Sequence, residues 1–382
     1  MQPNTTISTV WNDQKAPQGY HAGVSLHSHT SYSEESLTFI HKMFAYLPGL
    51  SQLFKHYERQ SQEYGFKLDF VRGNWRPPLI PRMAYDLEAG QILGLGLQAM
   101  VSISDHDNIE APMLLRTVPS SRGIPVSLEW SAPFGATEFH IGVHNLPSAE
   151  GVWWTERMKK YTQAPADAEL FAILNELNEL PGVLLILNHP IWDLYKVGKA
   201  AHEAELKRFM AAAGHCMHAL ELNGLRDARE NRTVAQLARD TGHLLISGGD
   251  RHSLEPNACI NLSHATNFRE FVDEIRIERR SHILFMEQYA KSWETRILHS
   301  TLDAVTDFPE FTEGWRRWDD RVFHPDRNGE MRPLSQLWTS GKAPWPLRAS
   351  IEFVRLARSR TFTRTFGMAF RGANAEAEME LL

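Results

Sequence analysis

Cysteine is nearly absent: Cys216 and Cys259 are the two thiols in 382 residues. Two thiols can build neither a disulfide framework nor a thiolate zinc site, so the reducing cytoplasm is the expected compartment. No run of about 18 apolar residues occurs, which argues against a membrane span. Residues 1–5 carry neither the basic start nor the apolar stretch of a secretory leader, so none is expected. A surplus of positive charge is lacking as well. The formal net charge of −6 gives no global pull toward nucleic acid or acidic membranes. Internal repeats and low-complexity tracts are also missing. Histidine, by contrast, is plentiful, and 18 of them open coordination chemistry to a protein that lacks thiols. The length allows one large domain or two smaller ones with a substantial core.

The most informative stretch is Val24-Ser25-Leu26-His27-Ser28-His29-Thr30. Alternate side chains of a strand point the same way, so His27 and His29 are expected to face one side at the strand's mouth. Ser104-Asp105-His106-Asp107, Asn188-His189-Pro190 and Gly249-Asp250-Arg251-His252 follow. Each comes directly after a short apolar run that reads as a strand. One such tip means little; four in order suggest a ring of metal ligands at one end of a barrel.

The apolar runs lie at residues 24–26, 99–104, 124–129, 139–143, 183–187, 219–222 and 244–247. Several are near-continuous, as parallel strands buried on both faces should be. Helical patterns at 84–97, 166–180 and 231–241 separate many of them, the second stopped by Pro181-Gly182 and the third by Gly242. Alternating strands and helices predict an α/β barrel, with its chemistry at the C-terminal strand ends. Two regions fall outside the repeat. Residues 40–82 form a long insertion after the first strand, with Tyr57, Tyr64, Phe66, Phe70 and Trp75 beside Arg72, Arg76 and Arg82; an insertion of that length near a site suggests a lid. Residues 291–382, rich in Trp and Arg, read as an α-rich extension of a domain spanning 20–290.

Divalent ions take His nitrogens and carboxylate oxygens at about 2.0–2.2 Å. The candidates are His27, His29, His106, Glu129, His140, His189, Asp250 and His252. These are too many for one ion and suit two or three, with a carboxylate such as Glu129 bridging.

The order H-x-H-T-x-x-S, S-D-H-D-N, a strand ending in Glu, H-x-x-G, N-H-P and D-x-H resembles the polymerase and histidinol phosphatase (PHP) superfamily over residues 20–285. That resemblance implies a distorted seven-stranded (β/α)7 barrel holding up to three Mn, Zn or Fe ions and hydrolysing phosphate esters. By motif, His27 and His29 would share one ion with Glu129 and Asp250. Glu129 would bridge to a second held by His140 and His189, and His106 and His252 would hold the third. The family's further acid maps onto Glu34, with Glu35 as competitor. His140 is preferred over His144 because His140-Ile141-Gly142 fits the pattern. Ser25 departs from the family, which commonly has Asp two residues before the first histidine, and so a second acceptor is lost.

The expected activity is metal-dependent phosphoesterase, with a metal-activated hydroxide attacking a small phosphomonoester such as a nucleotide. Asp105, Asp107 or a metal-bound water would protonate the leaving oxygen, and the sequence does not choose among them. Arg251, Arg72 and Arg76 would bind the phosphate, although alternation turns Arg251 away from the ligands unless the loop turns. The basic run Arg348, Arg355, Arg358, Arg360, Arg364 and Arg371 could serve nucleic acid, but a solvated helix face or an oligomer contact is favoured. The alternatives are amidohydrolase-type C–N or C–O hydrolysis and a non-catalytic binding module. Against the first, no lysine sits at a strand end, and Asp250 belongs to an Asp-x-His pair.

Overall fold

The computed structural model describes residues 4–37, 48–59 and 68–356. In chain order its strands are β1 (Asn4–Thr9), β2 (Ala22–Ser25), β3 (Glu35–Ser36), β4 (Asn74–Trp75), β5 (Gln98–Val101), β6 (Val126–Phe134), β7 (Thr137–Leu146), β8 (Leu184–Asn188), β9 (Ala219–Asn223), β10 (Leu244–Gly248), β11 (Cys259–Ser263), β12 (Arg280–Phe285), β13 (Val322–Pro325) and β14 (Met331–Pro333). Its helices are α1 (Pro48–Arg59), α2 (Pro81–Gly94), α3 (Glu110–Leu115), α4 (Gly151–Gln163), α5 (Asp167–Glu179), α6 (Lys199–Ala213), α7 (Ala228–Thr241), α8 (Phe268–Arg276), α9 (Trp293–Val305), α10 (Leu334–Leu337) and α11 (Trp345–Leu356).

Two five-stranded sheets carry the core, in the orders β1-β12-β11-β2-β5 and β10-β9-β8-β7-β6. Residues 124–129 and 139–143, with no helix between them, become the antiparallel hairpin β6–β7. β7 is antiparallel to β8, and β11 is antiparallel to both of its neighbours. β1, β11 and β12 escape a reading by apolar runs, because Ile7 is the one apolar residue of β1, Asn261 interrupts β11, and β12 opens on Arg280-Ser281-His282.

The expected closed seven-stranded barrel is corrected here: no closed barrel is found among the described residues. The sheets approach each other at both edges, but main-chain pairing between them is confined to the tips, with isolated bridges His106↔Glu129 and Ser28↔Arg251. Lower down, side chains replace the ladder. Thr5 Oγ1 accepts from Leu245 N at 3.1 Å, Asn261 Oδ1 accepts from Ser247 N at 2.9 Å, and Ser102 Oγ donates to Ser127 Oγ at 2.9 Å. Val24, Met100, Leu184, Ile186, Leu244 and Ile246 pack between the sheets, and Phe271, Val272 and Ile275 of α8 close the end near the strand starts. α4 to α7 cover the outer face of the second sheet over Trp130, Leu174, Phe209 and Val234.

The insertion and the C-terminal segment, separate in the sequence, build one layer. β3 and β4 pair with β13 and β14 in an antiparallel sheet ordered β14-β13-β4-β3. Leu37, Tyr57, Trp75, Leu302, Val322, Trp338 and Leu347 form its core. The extension thus contributes strands as well as helices. Tyr64 and Phe66 of the insertion, and Arg358, Arg360, Arg364 and Arg371, lie outside the described residues.

The fully buried Arg321 ties this layer to the end of α9. Its Nη2 donates to the carbonyls of Asp303, Ala304 and Thr306, and its Nη1 to those of Trp315 and Arg317. Removing the guanidinium leaves these acceptors buried and unpaired. Arg321→Met is therefore expected to lower the unfolding free energy by about 3 kcal/mol, read by urea denaturation.

Candidate metal centre

The histidine motifs do sit at strand tips, but strand alternation is not what aims them. β2 ends at Ser25, and His27 beyond it is left-handed at φ 60°. Asp107 (φ 48°), His189 (φ 27°) and Asp250 (φ 54°) share that conformation at their own tips. It costs a non-glycine residue about 1–2 kcal/mol and persists where the surroundings over-determine it. Here each kinked tip is anchored. Asp250 N donates to His27 O at 2.7 Å, Asp107 N to Glu129 O at 2.9 Å, and His189 N to Glu221 Oε2 at 2.8 Å. The turns throw the ligand side chains together into one pocket.

Glu129 lies at the centre, fully buried. Its Oε2 is 3.0 Å from His27 Nε2 and 3.4 Å from both His29 Nε2 and His106 Nδ1. Its Oε1 is 3.2 Å from His140 Nδ1 and 3.1 Å from His189 Nε2. Asp250 Oδ1 stands 3.6 Å from His27 Nε2 and His29 Nε2 and 3.5 Å from His252 Nδ1. The residues expected from the motifs are thus brought together, with one exchange.

The exchange concerns Glu34. Its side chain is 57% exposed and paired with Arg76 at 2.9 Å. Glu35 takes the place in the cluster, 3.0 Å from His252 Nε2, 3.3 Å from His106 Nε2 and 3.5 Å from His29 Nδ1. Pairing of Glu35 with Trp75 across β3 and β4 decides which of the two acids points inward.

Whether these residues suit cations can be tested on their unpaired atoms. His27 Nε2, His29 Nε2, His106 Nδ1, His140 Nδ1 and Glu129 Oε2 are buried without a hydrogen-bond partner. Ligands at about 2.1 Å from one ion stand about 3.0–3.5 Å apart in octahedral or tetrahedral geometry, close to the spacing found here. Four donor groups are near enough to hold an ion: His27, His29 and Glu129; His106, Glu129 and His140; His29, Glu35, His106 and His252; and His27, His189 and Glu221. The set fits divalent ions.

The electrostatics agree. Burial works against every charge here, but the surrounding imidazoles hold the carboxyls of Glu129, Glu35 and Asp250 well below their usual range. Burial, joined by neighbouring His252, pushes His29 down to about 3. Against burial, Glu35 and Glu129 hold His106 up at about 10, and Glu129 holds His140 up at about 9. Mutual repulsion keeps the imidazoles from all being protonated.

Glu221 is the member that sequence reasoning missed. Its Oε1 lies 2.5 Å from His27 Nδ1, an orientation that turns Nε2 toward the cluster, and its Oε2 also accepts from Asn223 Nδ2. Gly248 on adjacent β10 makes room, since a Cβ there would lie 1.7 Å from Glu221 Oε1. The available signal was an acid within the apolar run at 219–222.

A cavity of about 560 Å³ opens above the cluster. Of the two proposed acids, Asp107 lines it, held by Ser131 N at 3.0 Å, and burial raises its carboxyl. Asp105 instead grips Thr30 through both N and Oγ1. The three proposed phosphate arginines point elsewhere. Arg251 is buried against Glu88 at 2.7 Å, Arg72 is exposed beside Asp69, and Arg76 pairs with Glu34 and stacks on Phe323. Among the described residues, the arginine that lines the cavity is Arg226, 3.8 Å over the Trp192 ring with Nη2 3.4 Å from Asp250 Oδ2.

No protein-family model matches the chain, and no curated protein matches it. Among solved structures it is similar to PsfC from Pseudomonas syringae, with TM-score 0.39 and 14% identity over 58% of this chain and 87% of that one. An amidohydrolase from Chromobacterium violaceum, with sulfate bound and no metal, scores 0.34 at 16% identity over 46% of this chain and 83% of that one. A candidate metal-dependent phosphoesterase from Bifidobacterium adolescentis scores 0.31 at 15% identity over 53% and 92%. At these scores none of them fixes a family.

The exchange of acids gives a direct test. Glu35→Gln is expected to weaken binding of the ion nearest His252 by about 10–100-fold, whereas Glu34→Gln leaves metal affinity at the wild-type value. Titration calorimetry on stripped protein reads both.

Proposed function

We propose that this protein is a metal-dependent hydrolase of phosphate esters, acting on small phosphomonoesters such as nucleotides. The observation that carries the reading is the convergence of four unpaired imidazole nitrogens and a carboxylate oxygen beneath a cavity that Arg226 lines. His27, His29, Glu129 and Asp250 would hold one ion, His140 and His189 a second with Glu129 shared, and Glu35, His106 and His252 a third. Mn, Zn or Fe suits such a nitrogen and carboxylate set. Bound there, two or three divalent ions would supply Lewis acidity toward the phosphate and a lowered pKa for water.

The chain's own residues do the rest. Arg226 presents a planar donor set that matches paired phosphate oxygens, and its stacking on Trp192 fixes that plane. Arg296 Nη2, donating to Arg226 O at 2.5 Å, holds the loop that carries it. Asp107, which lines the cavity, is the acid assigned here to give a proton to the leaving oxygen. Asp105 is committed to Thr30 and serves the backbone. Trp75, Trp192, Leu225 and Ile297 wall the cavity, a surface for the organic part of a small ester. Lys159, on α4, is the lysine along this wall and comes from a helix rather than a strand end. That placement does not supply the carboxylated ligand of the amidohydrolase alternative. No helix among the described residues is long and apolar enough to cross a membrane, and the cytoplasm is the proposed compartment.

Stripped protein reloaded with Mn²⁺, Zn²⁺ or Fe²⁺ is expected to cleave an aryl phosphomonoester faster than the matching diester. Turnover of amides or carboxylic esters alone would favour the amidohydrolase reading, and absence of bound metal would leave a binding module. His29→Ala and Asp250→Ala are each expected to abolish turnover and metal content together. Arg226→Met should lower kcat/KM about 100-fold with metal content unchanged, measured by steady-state kinetics and metal analysis.

A further inference from the structure

Beside the cluster lies a second buried charged assembly whose two charged members, Glu88 and Arg251, do not line the cavity. Glu88 of α2 and Arg251 are both almost completely buried and form an ion pair at 2.7 Å. Arg251 does not stop there: Nη2 donates to His29 O at 2.9 Å and Nη1 to Ser253 O at 3.0 Å. Glu88 in turn accepts from Ser25 Oγ at 2.9 Å and from Asn257 N at 3.2 Å. Asn257 Nδ2 closes the ring by donating to Ser25 Oγ at 2.7 Å and Leu26 O at 2.9 Å. Gly249 admits it, because a Cβ there would lie 1.7 Å from Asn257 Oδ1.

These contacts grip the two tips that bring His27, His29, Asp250 and His252 together. The same tips are linked through the main chain by Gly249 N to Leu26 O, Asp250 N and Arg251 N to His27 O, and His29 N to Arg251 O, with no strand ladder between β2 and β10 below them. Two of the residues so held, His27 and Asp250, are left-handed. We infer that the Glu88–Arg251 pair, with Ser25 and Asn257, is a positioning device that clamps the β2 and β10 tips and sets the metal affinity of the centre. The inference rests on the metal-centre reading proposed above. It gives Arg251 a role unlike phosphate binding. A single arginine suits the task because its fork reaches a carboxylate and two carbonyls at once, which a lysine cannot do.

The test separates affinity from stability. Replacing a buried ion pair by neutral residues of similar volume often leaves stability intact, so Glu88→Gln combined with Arg251→Met removes the charges without stranding one. The double variant is expected to melt within a few degrees of wild type when metal-free, yet to bind Mn²⁺ or Zn²⁺ about 10–100-fold more weakly by titration calorimetry. With metal saturating, kcat should fall while KM for an aryl phosphate holds. Arg251→Lys should recover only part of the affinity. Ser25→Ala, a smaller change, should weaken binding about threefold and decides the matter if the double variant does not fold. Wild-type affinity in a folded double variant, or in Ser25→Ala should the double variant not fold, overturns the clamp and leaves the metal-centre reading standing. A wild-type protein that binds neither ion overturns both.

Discussion

One buried carboxylate organises the molecule. Glu129 places two oxygens among five imidazoles drawn from β2, β5, β7 and β8 tips, at 3.0–3.4 Å. An ionised group taken from water costs several kcal/mol unless it is compensated, and hydrogen bonds account for only part of this cluster. Cations would complete the balance. In the bare protein, protons held on His106 and His140 stand in for them, and ion binding must displace those protons. A cluster of this kind demands backbones held firmly enough to keep like groups together.

That demand explains the division of the interior. Near the strand starts the two sheets meet through Val24, Leu184 and Ile246, sealed by α8. Toward the strand ends the interior turns polar, with Glu129, Asn188, Glu221, Asn223, Asn257 and Asp250 bonded to one another or to main chain. The left-handed tips at His27, His189 and Asp250 sit in this polar half, where amides rather than packing fix them. The apolar half supplies stability; the polar half converts it into fixed ligand directions.

The same division decides what the sequence discloses. His27-x-His29, His106, His189 and Asp250-x-His252 are legible because each ends an apolar run, and the run itself marks the strand. Glu221 is hidden inside such a run, where an acid reads as an interruption. Arg226 follows Asn223-Gly224-Leu225, a turn whose direction depends on Asn231 of the following helix and on the distant Arg296. Arg251 faces away from the ligands, as alternation suggests, and finds Glu88. Glu34 and Glu35 are adjacent and alike, so only the tertiary pairing of β3 with β4 separates them. Closure of the barrel fails for a related reason: Thr5, Ser102 and Asn261 bridge the sheets by side chain, and apolar periodicity carries no information about that.

Glu35 also shows why the insertion and the C-terminal segment belong together functionally. β3 is two residues long and too short to hold a ligand by itself. It is steadied by β4, which pairs Trp75 with Val322 and Asn74 with Phe323 of β13. Trp75 then walls the cavity from one side while Ile297, Ser300 and Thr301 of α9 wall it from another. The layer anchored by Arg321 therefore shapes one side of the cavity and, through Glu35, reaches the histidine cluster at its floor. Substitutions in that layer can reshape one side of the cavity without touching the residues that the two sheets supply to the cluster. Glu35 is where layer and cluster meet.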